Sequence, residues 1–185
     1  FLLLDDLGHQ TYLDAIVADP AGAPSLMRDA IGALVQWQLA SREGELPPYD
    51  ETLLRREMAL FPEWYLGRHL GRAPVAALEP VYDALVASAL AQPAVYVHRD
   101  YMPRNLMLSD PNPGVLDFQD AVHGPITYDI ASLTRDAFHS WEEEQVLDWT
   151  VRYWEAAKKA RLPVAADFAE FWRAFDRMGL QRHLK

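Results

Sequence analysis

The spacing of hydrophobic side chains predicts helices over the first half of the chain. Between residues 24 and 38 they recur every three or four positions, as one buried helix face requires, at Leu26, Ala30, Ile31, Leu34 and Val35. Pro24 suits the first turn of this helix. Asp50 can cap a second helix, which Pro62 must break or kink. Pro80 opens a third, and the helical pattern continues to about residue 92.

Short apolar runs replace the helical pattern after Pro93. Residues 94–97, 105–108 and 114–116 have the length and composition of strands. The last two runs flank the sequence Asp110-Pro111-Asn112-Pro113, whose residue types are typical of a turn. These two runs are therefore predicted to form a β-hairpin.

The register of this hairpin decides which polar residues meet. Pairing Ser109 with Gly114 across the turn places Leu106 opposite Asp117. Asn105 then lies one residue from that pair. We therefore expect the Asn105 amide and the Asp117 carboxylate at the same end of the hairpin.

Three further helices are predicted after the strands. They begin at Thr127, at Ser140, where Glu143 completes a capping-box pattern, and at about Pro163. Together the patterns predict a mainly α-helical fold, in which residues 9–185 form one domain with a small β-insert at 94–118.

The charge balance and the missing cysteines narrow the function classes. The 185 residues include 17 Lys and Arg against 27 Asp and Glu, a net charge of −10, which argues against a nucleic-acid-binding surface. The absence of cysteine excludes a disulfide framework and a thiolate zinc site, and it is compatible with the cytoplasm. The opening run Phe1–Leu4 is too short for a signal peptide or a membrane span, so no membrane partner is expected.

Polar residues at the ends of the predicted strands are the strongest functional signal. His98-Arg99-Asp100 follows the first strand, Asn105 begins the second and Asp117 ends the third. An amide oxygen beside a carboxylate suits Mg²⁺, so Asn105 and Asp117 are the candidate metal ligands. Asp100, on the loop beside them, is the candidate catalytic base that accepts the proton of an attacking hydroxyl. The spacing His-x-Asp-x4-Asn is that of a phosphotransferase loop.

Two other classes remain open on these residues. Asp100, Asp117 and Asp120 with His98 could instead build a two-metal hydrolase. A non-catalytic nucleotide-binding lobe is the third possibility, although such a lobe has no need of a base at Asp100.

The remaining polar candidates have less certain roles. His98 is expected to be a buried support of the loop, whereas Arg99 and Arg104 could support the loop or contact phosphate. Glu63 and Trp64 follow the Pro62 break, and an aromatic ring beside a carboxylate is a common way to hold a sugar. Asp120 lies just past the metal candidate Asp117 and could face an acceptor substrate.

Three stretches resemble a known family. His98–Asn105, Gly114–Asp120 and Gly124–Ala131 are similar to the aminoglycoside phosphotransferase and choline kinase branch of the protein-kinase-like fold. The resemblance implies that the chain is the C-terminal lobe of such a fold and that it uses ATP and Mg²⁺ to phosphorylate a hydroxyl. It also implies that Asp129 ties down the catalytic loop.

The resemblance extends to the start of the chain. It implies that residues 1–8 are a strand and a hinge, whose main chain at Asp5 and Leu7 would meet adenine. The nine glycines include no Gly-x-Gly pair, so a phosphate-binding loop is expected in an N-terminal lobe that lies before Phe1. Since the chain opens on the strand-like run Phe1–Leu4 and closes inside a helical pattern at residues 181–185, we expect both ends to be cuts from a longer protein, and the chain alone to be inactive.

Longer stretches resemble a narrower group. Phe1–Gly8, Leu60–Tyr65, Leu116–Val122 and Gly124–Asp129 are similar to bacterial cell-wall-recycling kinases that phosphorylate amino sugars. This likeness implies a cytoplasmic enzyme of peptidoglycan recycling whose acceptor is the anomeric hydroxyl of N-acetylmuramate or N-acetylglucosamine. An aminoglycoside or another small alcohol is the alternative acceptor.

Overall fold

The computed structural model describes residues 6–73 and 75–185, and its first half is helical as predicted. Helix α1 spans Tyr12–Ala18 and α2 spans Ala23–Leu39, with a 3₁₀ turn at Pro20–Gly22 between them. The strand predicted at Phe1–Leu4 and the hinge residue Asp5 lie outside the described residues.

The first two helices begin at identifiable caps. Thr11 forms a capping box with Asp14, in which each side chain accepts a hydrogen bond from the other residue's backbone N–H. Pro24 lies in the first turn of α2, as predicted. Four of the five predicted apolar residues of α2 are buried, Leu34 fully, whereas Leu26 is half-buried against the core.

Helix α3 and the segment after it follow the predicted boundaries. Helix α3 spans Glu51–Met58, and the Asp50 side chain accepts a 2.8 Å hydrogen bond from the Leu53 amide at its start. A π-helix at Phe61–His69 contains Pro62, so the regular helix does end before this proline. Helix α4 then spans Glu79–Leu90, after a 3₁₀ turn at Ala76–Leu78.

Two small antiparallel sheets contain the strands of the predicted β-insert at 94–118 and one strand that follows it. Strand β1 (Ala94–Val97) pairs with β4 (Val122–Pro125), and β2 (Leu106–Met107) pairs with β3 (Gly114–Val115). Strand β4 is not predicted by the sequence pattern, because half of its residues are Gly and Pro, which are rare in strands. It forms because it pairs with β1 and because His123 also exchanges backbone hydrogen bonds with the segment 47–49.

The predicted hairpin register is wrong by two residues. Leu106 lies opposite Val115, not Asp117, and Met107 lies opposite Gly114. The reason is that residue 108 leaves the ladder, since its amide donates to the carbonyl of Gln10 at 3.0 Å. The backbone N–H of Leu116 donates to the Asn105 carbonyl, so Asp117 still follows immediately after the partner of Asn105.

The last three helices form, but two of their predicted starts are wrong. Helix α5 spans Tyr128–Thr134, α6 spans Glu143–Lys159 and α7 spans Phe168–Leu184. The capping box of α6 joins Glu142 to Gln145, whereas the prediction joined Ser140 to Glu143. Helix α7 begins five residues after Pro163.

These caps explain the two shifts. Glu142 has extended backbone angles, and its carboxylate and the Gln145 side chain each bond the other's backbone N–H. Asp167 caps α7 by accepting a 2.9 Å hydrogen bond from the Glu170 amide. In both cases a capping pair nearer the helix replaces the predicted start.

A single hydrophobic core holds the loop that follows β1. Helix α7 packs against α4 and α5, and α2 packs against α6. Tyr12, Leu34, Leu106, Tyr128 and Phe175 are among the fully buried members of this core. Since β1 and β2 lie on it, the polar segment between them is held at one edge of the domain.

Within the described ranges, no helix combines the length and the apolar composition that a bilayer crossing needs.

Candidate active site

The segment from His98 to Asn105, here called the catalytic loop, connects β1 to β2. The His98 ring is almost fully buried, and its Nε2 lies 2.9 Å from the carbonyl oxygen of Leu116. Burial lowers the pKa of this imidazole, which favours its neutral form. The charges of Asp100 and Asp117 act in the opposite direction on this pKa. The structure therefore shows His98 as the buried loop support that the sequence predicts.

Asp129 holds the start of the catalytic loop. It lies in the first turn of α5 with no exposed surface, and its carboxylate accepts hydrogen bonds from the backbone amides of His98 at 2.7 Å and Arg99 at 3.1 Å. The tie to the loop that the family resemblance implies is thus present in the structure.

The two arginines of the loop have side-chain contacts within the protein. Arg99 pairs with the buried carboxylate of Glu57 and donates to the backbone carbonyl of Asp120 at 3.2 Å. The Arg104 guanidinium lies 4.5 Å from the centre of the Phe138 ring. Arg99 therefore supports the loop, which answers for this residue the question that the sequence leaves open.

Asp100 presents its carboxylate at the surface of the catalytic loop. Its side chain is 35% exposed, and Oδ1 lies 3.9 Å from the Nζ atom of Lys185. Its backbone carbonyl accepts a 2.8 Å hydrogen bond from the Asn105 side-chain amide. An accessible carboxylate on a loop fixed by its backbone has the properties that a base for a substrate hydroxyl requires.

Asn105 and Asp117 offer oxygen atoms suited to a hard cation. The Asn105 side chain is largely buried and uses its nitrogen to bond Asp100, which leaves its amide oxygen as an acceptor. Asp117 is exposed, and one of its oxygens accepts a 2.6 Å hydrogen bond from Gln119. An amide oxygen and a carboxylate with free lone pairs fit Mg²⁺, which completes its coordination with water and phosphate oxygens.

A different kind of metal centre would need a richer cluster. In residues 6–73 and 75–185, no three His, Cys, Asp or Glu side chains are grouped so as to hold a metal ion. Both ring nitrogens of His98, the histidine that a two-metal hydrolase would use, already have partners: Nε2 lies 2.9 Å from the Leu116 carbonyl oxygen, and Nδ1 accepts a 3.3 Å hydrogen bond from the Asp100 amide.

Trp64 lines a cleft beside the catalytic loop, whereas Glu63 does not. The cleft has a volume of about 700 Å³ and lies between the π-helix and the end of α7; its walls include Phe61, Trp64, Tyr65 and Lys185. Lys185 lies near Asp100, so this cleft adjoins the candidate base. Glu63 instead pairs with Arg68 at 3.2 Å, and the Arg68 guanidinium lies 3.8 Å from the centre of the Trp64 ring.

The other predicted binding residues lie elsewhere around the loop. Asp120 is exposed, and its backbone carbonyl bonds Arg99. Leu7 is half-buried against β3. It lies so close to Gly114 that a Cβ atom added to Gly114 would be 3.0 Å from the Leu7 side chain. Their roles toward acceptor and adenine stay predictions, as does that of Asp5.

Sequence reasoning missed three residues that surround the loop, Glu57, Arg182 and Lys185. Glu57 is 4% exposed on α3, and it is a neighbour of the buried Leu54 and Met58 on the same helix face. A glutamate on the apolar face of a helix is rarely buried without a partner. Its position in the sequence could therefore have indicated a buried, paired carboxylate. Arg182 and Lys185 carry no such signal in the sequence.

Comparison with known proteins shows the family of the chain. The chain matches the Phosphotransferase enzyme family over residues 1–177. It is 58% identical, over 189 aligned residues, to an N-acetylmuramate/N-acetylglucosamine kinase of Pseudomonas putida, and the match covers 100% of this chain and 55% of that protein. The chain therefore spans about half the length of the curated relatives it matches.

Two solved structures are similar in fold. The aminoglycoside-3'-phosphotransferase of type VIII has a TM-score of 0.58 at 14% identity, covering 94% of this chain and 67% of that one. The aminoglycoside phosphotransferase APH(3'')-Id of Streptomyces rimosus, in complex with ADP and streptomycin, has a TM-score of 0.54 at 19% identity, covering 86% and 64%. At these identities the likeness shows the fold alone.

Proposed function

The chain belongs to the phosphotransferase enzyme family, and we propose that the intact protein transfers the γ-phosphoryl group of ATP to an amino sugar. By intact protein we mean this chain with any sequence that precedes Phe1 or follows Lys185. The acceptor in this proposal is the anomeric hydroxyl of N-acetylmuramate or N-acetylglucosamine. The proposed reaction belongs to peptidoglycan recycling and takes place in the cytoplasm.

One observation carries the proposal. The Asp100 carboxylate lies at the surface of a fixed loop, and the side-chain amide of Asn105 bonds the backbone of Asp100. Asp117 directly follows Leu116, whose backbone N–H bonds the Asn105 carbonyl. This is the set of groups that phosphoryl transfer needs, a base for the hydroxyl and oxygen ligands for the cation. The 58% identical relative named as an N-acetylmuramate/N-acetylglucosamine kinase supports the choice of acceptor.

In the proposed reaction, Asp100 acts on the acceptor. Its carboxylate accepts the proton as the sugar oxygen bonds to the γ-phosphorus and the bond from that phosphorus to the bridging oxygen of ATP breaks, which releases ADP. Asn105 and Asp117 would hold Mg²⁺, which neutralises charge on the phosphates when bound. Since the anomeric hydroxyl is the most acidic of a sugar ring, a carboxylate base is well matched to it.

The cleft beside Asp100 is the proposed acceptor pocket. The exposed ring of Trp64 offers an apolar face for the sugar, and Arg68 beside it offers a cation for the carboxylate of N-acetylmuramate. Glu63 orients Arg68 in this arrangement through their ion pair. Asp120 is proposed to contact acceptor hydroxyls from the other side of the loop.

The nucleotide phosphates need groups that this chain does not supply. We propose that a lobe before Phe1 provides the phosphate-binding loop and the lysine of a kinase. The relative from P. putida is consistent with this, because the match covers only 55% of its length. Residues 1–8 would then connect the two lobes, with the main chain of Asp5 and Leu7 against adenine, and 9–185 would form the C-terminal lobe with the β-insert at 94–118.

A panel of acceptors tests the function. The intact protein is incubated with ATP, Mg²⁺ and each of four acceptor types: N-acetylmuramate, N-acetylglucosamine, their 1-O-methyl glycosides and kanamycin-type aminoglycosides. Phosphorus-31 NMR identifies the product. We expect the 1-phosphate from the two free sugars only, and its formation by an Asp100→Asn control should be slower by roughly 10²- to 10⁴-fold. Methyl glycosides that react as well as the free sugars would exclude the anomeric oxygen, and aminoglycosides as sole acceptors would overturn the proposed substrate class.

A further inference from the structure

Arg99, the residue before the candidate base, has an unfavourable backbone conformation. Its φ angle is 77°, in the left-handed region that glycine adopts easily and residues with a Cβ atom avoid. Such a conformation persists only where surrounding contacts hold it. Because Arg99 immediately precedes Asp100, this backbone angle sets the direction in which the Asp100 carboxylate leaves the loop.

Three separate elements hold Arg99 in this conformation. Its amide donates to Asp129 of α5 at 3.1 Å, and its carbonyl accepts a 2.8 Å hydrogen bond from the guanidinium of Arg182 on α7. Its own guanidinium pairs with the carboxylate of Glu57 on α3. The amide, the carbonyl and the guanidinium of Arg99 are therefore each bonded to a different helix.

Glu57 brings a buried carboxylate to this arrangement, with 4% of its surface exposed. One of its oxygens meets Arg99 and lies 3.4 Å from the Lys185 ammonium, and the other accepts a hydrogen bond from the Tyr49 hydroxyl. Gln181 of α7 reaches the same oxygen as Tyr49 at 3.4 Å. The carboxylate thus joins α3 to the catalytic loop and to the last turns of α7.

Stability alone is a poor explanation for a buried ion pair here. Taking Glu57 and Arg99 out of water costs much of what their attraction returns, and apolar residues of similar volume would serve a core at least as well. A charged pair does what an apolar pair cannot, because its hydrogen bonds have direction and fix the position of one loop residue.

We propose that Glu57 and Arg182 are positioning residues for the catalytic base. They hold Arg99 in its left-handed conformation, and this conformation aims the Asp100 carboxylate toward the acceptor. The inference rests on the proposed function for the role of Asp100, but the anchoring of Arg99 is a separate claim with its own measurement.

Kinetics of matched variants in the intact protein test the catalytic part. Glu57→Gln and Arg182→Met should each lower kcat by roughly 10- to 100-fold, the cost of a small misplacement of a catalytic group, while the KM for ATP changes less than about twofold. Glu51→Gln and Arg177→Met remove the same charges from exposed positions of α3 and α7 and should leave kcat unchanged. An unchanged kcat in Glu57→Gln and Arg182→Met would overturn the proposal.

A glycine at position 99 separates positioning from simple stabilisation. Arg99→Gly adopts the left-handed angle without strain and has no guanidinium for Glu57. The double variant Arg99→Gly, Glu57→Gln is compared with the single variant Arg99→Gly. Its kcat should be lower by less than about twofold. An equal loss in both backgrounds would mean that Glu57 acts independently of Arg99 and would contradict the proposal.

Hydrogen exchange of the Arg99 amide provides the readout that needs no activity. Exchange should accelerate at least about tenfold in Glu57→Gln and Arg182→Met but not in Glu51→Gln, since loss of an anchor lets the amide leave Asp129. Unchanged exchange overturns the anchoring. Accelerated exchange in a protein whose wild type phosphorylates no sugar would support the anchoring and refute the proposed function, so the two failures are distinguishable.

Discussion

The carboxylate of Asp129 accepts a 2.7 Å hydrogen bond from the backbone N–H of His98, 31 residues earlier in the chain. Complete burial raises the pKa of Asp129 to about 7, although the amides of His98 and Arg99 and the charge of Arg182 act to lower it. The residue that fixes the start of the catalytic loop is therefore also a carboxyl group that burial makes costly to ionise. We therefore expect the hold of Asp129 on the loop to depend on pH.

We expect the contribution of Asp129 to stability to fall as pH rises from about 4 to about 7. The folded-state pKa is about 7 and the ordinary value is 3.8, so the folded protein binds more protons between these two values. Stability from this group is fully present below the unfolded pKa and is lost as pH rises through the folded one, by roughly 2–4 kcal/mol. Urea unfolding of wild type and Asp129→Asn at several pH values measures the difference.

The comparison with Asp129→Asn removes the titration of other groups from this measurement. If the difference between the two proteins stayed constant from pH 4.5 to 7.5, the carboxyl would have the same pKa in both states. Carbon-13 NMR of the Asp129 carboxyl in the wild type gives the pKa directly, without the variant.

Replacement of the candidate base separates chemistry from binding. Asp100→Asn keeps the size of the side chain but cannot accept a proton, so kcat should fall by roughly 10² to 10⁴ while the affinity for ATP changes little. Single-turnover kinetics and calorimetric ATP titration of the intact protein measure the two quantities. A collapse of ATP affinity with a preserved rate of the bound complex would make Asp100 a metal ligand instead.

The proposed metal ligands should control how Mg²⁺ affects nucleotide binding. In Asp117→Ala, Mg²⁺ should no longer strengthen ADP binding, and turnover should be abolished, because the variant lacks a hard oxygen ligand. Asn105→Ala should weaken both. Asp110→Ala removes an exposed carboxylate from the neighbouring loop and is the matched control. Full activity of Asp117→Ala would refute the kinase assignment.

The exposed ring of Trp64 should contribute to sugar binding. Trp64→Ala is expected to raise the KM for the acceptor about tenfold and to leave the KM for ATP unchanged, since it deletes an apolar face of the cleft. Trp64→Phe keeps a ring and should lose much less. If N-acetylmuramate and N-acetylglucosamine bind Trp64→Ala as well as the wild type, the acceptor lies elsewhere.

Two glycines make a matched test of packing around the site. A Cβ atom at Gly124 of β4 would lie 2.6 Å from the Cβ of Tyr49, which bonds Glu57, whereas a Cβ at Gly32 of α2 meets nothing within 4 Å. Gly124→Ala should therefore destabilise the protein by about 1–3 kcal/mol. Gly32→Ala should stabilise it by up to about 1 kcal/mol, because alanine favours a helix. Urea unfolding measures both, and similar effects of the two changes would contradict the close approach at Gly124.

Local patterns in the sequence determined several elements that carry the site. The Asp50 cap and the strand before His98 were predicted correctly, because a cap joins residues three positions apart and a strand run is read from neighbouring residues. The candidate chemistry was equally local, since His98, Asp100 and Asn105 occupy one short loop. The wrong start at Ser140 shows the limit, because a capping box two residues later, between Glu142 and Gln145, begins the helix instead.

Only the tertiary structure decided what surrounds the candidate base. Glu57 lies 42 residues before Arg99 and Arg182 lies 83 residues after it, and periodicity along the chain contains no information about such pairs. They meet because α3 and α7 pack over the same core and bring one buried carboxylate and one guanidinium to the loop. The same reason explains the unpredicted strand at 122–125, whose Gly and Pro residues pair only because β1 lies beside them.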